Sequence, residues 1–177
     1  GQTFQKERHI FDTVIIRRQY GAEGMPLLMT VSRMAHEKNV SFLLESLARV
    51  KEKYAGPFRV LMIGDGPDKE VLRKRSVRLG LEDTVIFTGT VPNEQIAPYF
   101  KGADGFIFAS KTETQGIVVL EAFAGATPVI AVRATGVEDV VEDGVNGILT
   151  RSSPPVARTA RTGVATAKAS STPKPCV

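Results

Sequence analysis

Residues 105–132, GFIFASKTETQGIVVLEAFAGATPVIAV, decide the fold. Gly105 to Ala109 (GFIFA) is a short apolar run between small-residue breaks, and Pro128 to Val132 (PVIAV) is another; each reads as a buried strand. Between them, Gly116 to Ala126 is long enough for a helix. It is apolar on nearly every side, with Ile117, Val118, Val119, Leu120, Ala122, Phe123 and Ala124, so a helix buried between a sheet and a further layer is expected.

The same alternation runs outward in both directions. Leu27 to Ser32 (LLMTVS) reads as a strand, and Val40 to Lys53 follows as a helix with Phe42, Leu43, Leu47 and Val50 at helical spacing. Arg59 to Ile63 is the next strand. Gly64-Asp65-Gly66-Pro67 makes a tight turn into a helix from Lys69 to Leu79. Val85 to Thr88 is a third strand, and Asn93 is placed to cap a helix from Glu94 to about Lys101. Beyond Val132, Val137 to Glu142 reads as a short helix and Gly147 to Leu149 as a last strand. Strand and helix alternating in this way predict an α/β domain: a Rossmann-like, doubly wound parallel sheet with helices on both faces.

Three segments are expected: a helix or linker over 1–24, the folded domain over 25–150, and a tail over 151–177. Residues 1–150 hold all 19 acidic residues and 18 of the 23 Lys and Arg, a balance of −1, whereas the tail carries five cations and no acid. The formal charge of +4 therefore belongs to the tail, and it argues for neither nucleic acid nor membrane. The tail also has no aromatic residue and four prolines, a composition expected to stay disordered. Cys176 is the only cysteine, so neither an intrachain disulfide nor a thiolate metal cluster is available. No apolar run approaches the roughly 18 residues of a membrane span, and a cytoplasmic protein is expected.

Chemistry concentrates near the opening stretch. Glu121 is the only charge on its helix, and a carboxylate among apolar residues needs water or a partner. Glu113 stands eight positions earlier, in the loop that feeds that helix. In open α/β sheets, ligands bind outside the carboxyl ends of strands, where a loop and a helix N-terminus meet. The N–H groups of about Gly116 to Val118 would be free donors at the positive end of the helix, suited to phosphate. Each carboxylate is then suited to accept hydrogen bonds from hydroxyls, Glu121 from one sugar and Glu113 from another.

The spacing Glu113-x7-Glu121 resembles the E-x7-E motif of retaining glycosyltransferases of the GT-B fold, group 1 or family 4. Other segments are similar to that family in order and spacing: Ser32-Arg33 with Glu37-Lys38-Asn39, Ile63-Gly64-Asp65-Gly66-Pro67, Val85-Ile86-Phe87-Thr88-Gly89, Glu121 to Val129, and Glu142-Asp143-Gly144-Val145-Asn146-Gly147. The likeness covers about residues 25–150. It implies one half of a GT-B enzyme, the C-terminal domain that holds a nucleotide diphosphate sugar, with the acceptor held by an N-terminal domain absent from this sequence. The residues matching Arg33 and Lys38 contact the donor diphosphate in the family, and two cations there would stabilise a departing nucleotide. Gly64 and Gly66 would pass beside the nucleotide, and the backbone of Thr88 and Gly89 would edge the base. Glu121 would hold the ribose hydroxyls, Glu113 would lie by the transferred sugar, and Gln115, Gly116, Ile117 and Val118 would line the phosphate. Asp139 falls where the family more often has a glutamate.

The reaction implied is transfer of a hexose, from UDP-glucose or a relative, to a lipid or saccharide hydroxyl with retention. A binding module without catalysis and an epimerase of related fold are the alternatives. Gly64-x-Gly66 begins a dinucleotide fingerprint, but Lys69 occupies the third glycine position. No Asp-x-Asp occurs, so no metal or other cofactor is expected. The expected partners are the nucleotide sugar and the N-terminal domain, with any contact at the inner face of the membrane made through that domain. The isolated chain is expected to bind donor without turning it over.

Overall fold

A computed structural model of the protein describes residues 13–111 and 116–151. A helix α1 covers residues 13–19. The elements that follow are β1 (Leu27–Val31), a 3-10 turn (His36–Lys38), α2 (Val40–Lys53), β2 (Arg59–Ile63), α3 (Lys69–Arg78), β3 (Val85–Gly89), a 3-10 turn (Asn93–Gln95), α4 (Ala97–Gly102), β4 (Gly105–Phe108), α5 (Ile117–Ala124), β5 (Val129–Val132) and β6 (Gly147–Thr150).

All six strands form one parallel sheet in the order β3-β2-β1-β4-β5-β6. Parallel strands are covered on both faces and so read as continuous apolar runs, which is why RVLMI and GFIF carry little polarity. One face packs Leu27, Met29, Leu61, Phe106, Phe108 and Val129 against α1, α4 and α5. The other packs Val60, Met62, Val85 and Ile107 against α2 and α3. In α2 the buried residues Val40, Leu43, Leu44 and Leu47 form one stripe, each leucine contributing about 2 kcal/mol by leaving water.

Helix α1 is built into this core through Ile16, which is buried, and through polar ties from Thr13 and Arg17. Arg17 donates to the Asp104 carboxylate at 2.6 Å, and the other carboxylate oxygen accepts the Leu27 N–H at 2.8 Å. Partial burial pushes the Asp104 carboxyl up. The Arg17 hydrogen bond, the Leu27 N–H and the Arg17 charge outweigh it and hold the group below the usual carboxylate range. The Tyr20 and Tyr99 hydroxyls lie 3.1 Å apart, and burial, followed by the hydrogen bond to Tyr99, pushes the Tyr20 phenol up.

Three expectations are corrected. Residues 137–142 form no helix; turns run over 135–140, and the Asn146 side chain competes for the end of the segment, its Nδ2 donating to the Val140 carbonyl and its Oδ1 accepting the Glu142 N–H. Asn93 caps nothing; a 3-10 turn precedes α4, which opens with Pro98 in its first turn. Helix α5 stops at Ala124, and it is not buried on all sides, since Ile117 is 55% and Leu120 48% exposed. The expected disorder of the tail from residue 152 onward falls outside the described residues.

Candidate functional site

The strand order reverses between β1 and β4, and in open α/β sheets the carboxyl ends of the strands at such a reversal are where a ligand crevice lies. The loop after β1 carries Arg33 and Lys38, and the loop after β4 leads to α5. The two loops are joined directly, because the Lys111 N–H donates to the Glu37 carbonyl at 3.1 Å. Sequence reading missed this tie, which no local pattern signals. Arg33 is exposed, and its guanidinium makes no hydrogen bond or ion pair among the described residues. Lys38 is half-buried. Glu113 and Gln115 lie outside the described residues.

Backbone hydrogen bonds hold the Arg33 loop against the neighbouring strand-end loop. Ser32 N–H donates to the Ile63 carbonyl (3.0 Å), Met34 N–H to the Asp65 carbonyl (2.9 Å) and Asp68 N–H to the Met34 carbonyl (3.0 Å). Asp65 is fixed in turn by Lys69 and by the Gly66 N–H, which together hold its carboxyl below the ordinary range. The glycines of this turn have a structural reason. A Cβ on Gly64, whose φ is +133°, would lie 2.0 Å from the Ser32 carbonyl oxygen, and one on Gly66 would lie 2.4 Å from that of Met34. The close approach at both positions is therefore to the Arg33 loop itself. Gly64 also donates its N–H to the Gly89 carbonyl at 2.9 Å. The Thr88 hydroxyl lies 2.9 Å from the same oxygen, so the carbonyl of Gly89 is engaged within the protein.

The opposite wall is the N-terminus of α5. Gly116 takes a left-handed conformation as the cap of the helix, and its carbonyl accepts the Val119 and Leu120 N–H groups. The N–H groups of Ile117 and Val118 have no acceptor among the described residues, as the first turn of a helix requires. They are the donors expected to face an anion. A Cβ on Gly116 would lie 2.7 Å from the Gly136 carbonyl oxygen and 2.9 Å from Val140 Cγ2. Gly116 thus admits the turn after β5 as well as any ligand. One turn into the helix, Glu121 is half-buried and its carboxylate has no partner among the described residues. It is free to accept hydroxyl hydrogen bonds. Asp139 is exposed in the turn after β5.

Residues 133–150 hold a network that sequence reading also missed. The Arg133 guanidinium donates to Glu138 at 3.1 Å and to Asp143 at 2.8 Å, and the other Asp143 oxygen accepts the Leu149 N–H at 2.9 Å. The signal available was the Asp143-Gly144 turn beside Asn146-Gly147. No group of three or more His, Cys, Asp or Glu suited to a metal occurs among the described residues. No helix there is long and apolar enough to cross a membrane.

Residues 12–161 match the family described as glycosyl transferases group 1. The alpha-monoglucosyldiacylglycerol synthase of Streptococcus pneumoniae is 37% identical over 127 residues, 72% of this chain and 29% of that protein. The crystal structure of Anabaena HepE in complex with UDP-glucose superposes with a TM-score of 0.71 at 30% identity, over 79% of this chain and 38% of that one. The C-terminal domain of a glycosyl transferase group 1 family protein from Francisella tularensis shares the fold, with a TM-score of 0.65 over 76% of this chain and 73% of that domain. The chain therefore spans about a third of the length of its full-length relatives.

Proposed function

This chain belongs to the glycosyl transferases group 1 family, and from that membership we propose that it is the donor-binding half of a retaining GT-B enzyme. The donor is a uridine diphosphate hexose, and the acceptor a lipid or saccharide hydroxyl held by another domain. One observation carries the reading. The loops where the sheet order reverses carry the groups a nucleotide diphosphate sugar needs: the cations Arg33 and Lys38 after β1, and after β4 the Ile117 and Val118 N–H groups and the Glu121 carboxylate, which have no partner among the described residues.

In this proposal the diphosphate lies between the two loops. Glu121 accepts hydrogen bonds from the ribose hydroxyls, and Glu113 lies by the hexose. As the bond between the anomeric carbon and the diphosphate oxygen breaks, negative charge grows on the leaving oxygen. Arg33, Lys38 and the helix N-terminus stabilise that charge more than they stabilise the intact donor. The acceptor hydroxyl forms the new bond on the same face and passes its proton to the leaving diphosphate oxygen, so that the nucleoside diphosphate departs with the charge balanced. The names of HepE solved with UDP-glucose and of the diacylglycerol-linked synthase support a UDP-hexose and make a diacylglycerol-type acceptor the first to try.

Calorimetric titration with a panel of nucleotide sugars tests the reading. Binding of UDP-glucose or a near relative, weakened at least tenfold by Glu121→Ala, is expected. Equal effects of Glu121→Ala and of a surface control such as Glu82→Ala would reduce the chain to a module that does not hold ribose at Glu121. Isomerisation of the free nucleotide sugar without any acceptor would point to an epimerase.

A further inference from the structure

We propose that Arg133, at the end of β5, is a positioning residue for the diphosphate: it sets the N-terminus of α5 by clamping the turn that packs against it. The inference rests on the donor-binding reading above. The turn 134–141 is seated from below by Val137 and Val141, both buried, and is closed by Ala134, whose carbonyl accepts the N–H groups of Val137 and Glu138. Its Gly136 carbonyl presses on Gly116, so closely that a single methyl group does not fit between them. Gly116 is the cap of α5, and the Ile117 and Val118 N–H groups, which have no acceptor among the described residues, follow it directly. A shift of the turn is therefore a shift of those donors.

Two side chains fix the turn from outside: Asn146 holds its end at the Val140 carbonyl, and Arg133 holds its middle at Glu138. One guanidinium nitrogen reaches Glu138 within the turn, and another reaches Asp143 beyond it. Asp143 is itself held by the Leu149 N–H of β6, and the Arg133 backbone N–H donates to the Thr150 carbonyl at 2.8 Å. The clamp thus takes its bearing from the sheet on one side and holds Glu138 on the other. The planar guanidinium, which presents donors in a fixed fork, suits a bridge between two carboxylates; a lysine has no such fork. All three side chains are close to half exposed, so an ion pair of this kind adds little to global stability. Its effect is expected on position.

The test compares UDP with uridine on the 177-residue chain by calorimetry. The ratio of the two dissociation constants isolates what the diphosphate adds. Arg133→Ala should reduce that ratio at least fivefold while leaving uridine affinity within twofold, and Arg133→Lys should recover only part of the loss. A merely structural role would lower the melting temperature and leave the ratio unchanged, which would overturn the proposal. Glu138→Gln removes one arm without touching Arg133 and serves if Arg133→Ala does not fold. It should lower the ratio two- to threefold, and an unchanged ratio there overturns the proposal equally. If the wild-type chain gains nothing from the diphosphate, the donor-binding reading falls and this inference with it. If it gains and both variants match it, this inference alone falls.

Discussion

The Lys111 N–H donates to the Glu37 carbonyl, and this one bond joins the two loops that leave the sheet on either side of its reversal point. It ties the two loops through backbone, so the side chain of Lys111 is incidental to it. Lys111→Pro, which removes the N–H, should weaken UDP binding about three- to tenfold, equivalent to the roughly 1 kcal/mol of a typical hydrogen bond. Lys111→Ala keeps the N–H and should bind as the wild type does. Equal losses in both variants would assign the effect to the side chain.

Gly64 faces the Ser32 carbonyl too closely for any side chain and holds a φ of +133°. Gly64→Ala should destabilise the domain by about 3 kcal/mol or more, since backbone on both sides must move. Gly80 also has a positive φ but open space around it, so Gly80→Ala should cost only about 1 kcal/mol. Urea unfolding of both variants measures the difference. Similar costs would mean that backbone conformation, and not the clash, governs position 64.

Glu121→Gln keeps the shape of the side chain and removes its charge. Glu121 has no ion pair among the described residues, so stability should stay within about 0.5 kcal/mol of wild type. An ionised carboxylate accepts stronger hydrogen bonds from hydroxyls than an amide does. Donor affinity should therefore fall about tenfold while the urea midpoint holds, and a shift of the midpoint with intact affinity would make Glu121 a structural residue.

Asp104 stabilises the fold only while ionised. Its carboxyl is held below the usual range by Arg17 and the Leu27 N–H, so its contribution is fully present above the unfolded-state value, about 3.9. It is lost as pH falls through the lower folded-state value. Asp104→Asn should thus cost about 1 kcal/mol at pH 7, and the gap to wild type should close toward pH 2. Chemical denaturation at several pH values checks the sign, and a gap that widens in acid would be the wrong one.

The strands were legible because a parallel sheet buried on both faces leaves runs such as LLMTV and VIAV that need no periodicity to be found. The crevice residues were legible as far as they sit at strand ends, which fixes Arg33 and Lys38 after β1 and Gly116 after β4. What sequence cannot display is contact between distant backbones. Gly64, Gly66 and Gly116 read as openings for a ligand, yet each is also required by a carbonyl of another loop. Residues 137–142 have apolar spacing suited to a helix, but Asn146 takes their backbone groups. The apolar residues of α5 predict burial all round because composition reports affinity for an apolar neighbour and not whether one is present, as Ile117 and Leu120 show.

The tie between Asp104 and the start of β1 also bears on how the chain folds. The Leu27 N–H finds the Asp104 carboxylate 77 positions away, while β1 pairs with β2 over a much shorter loop, Leu28 opposite Val60. The β1–β4 register itself comprises only Leu28 with Gly105 and Met29 with Phe106. Closing a longer loop costs more entropy before any contact rewards it, so the β1–β2–β3 half can form while β4 is still unpaired. The crevice belongs to neither half alone but to their junction, so the three strands β1, β2 and β3 by themselves would offer no place for a nucleotide.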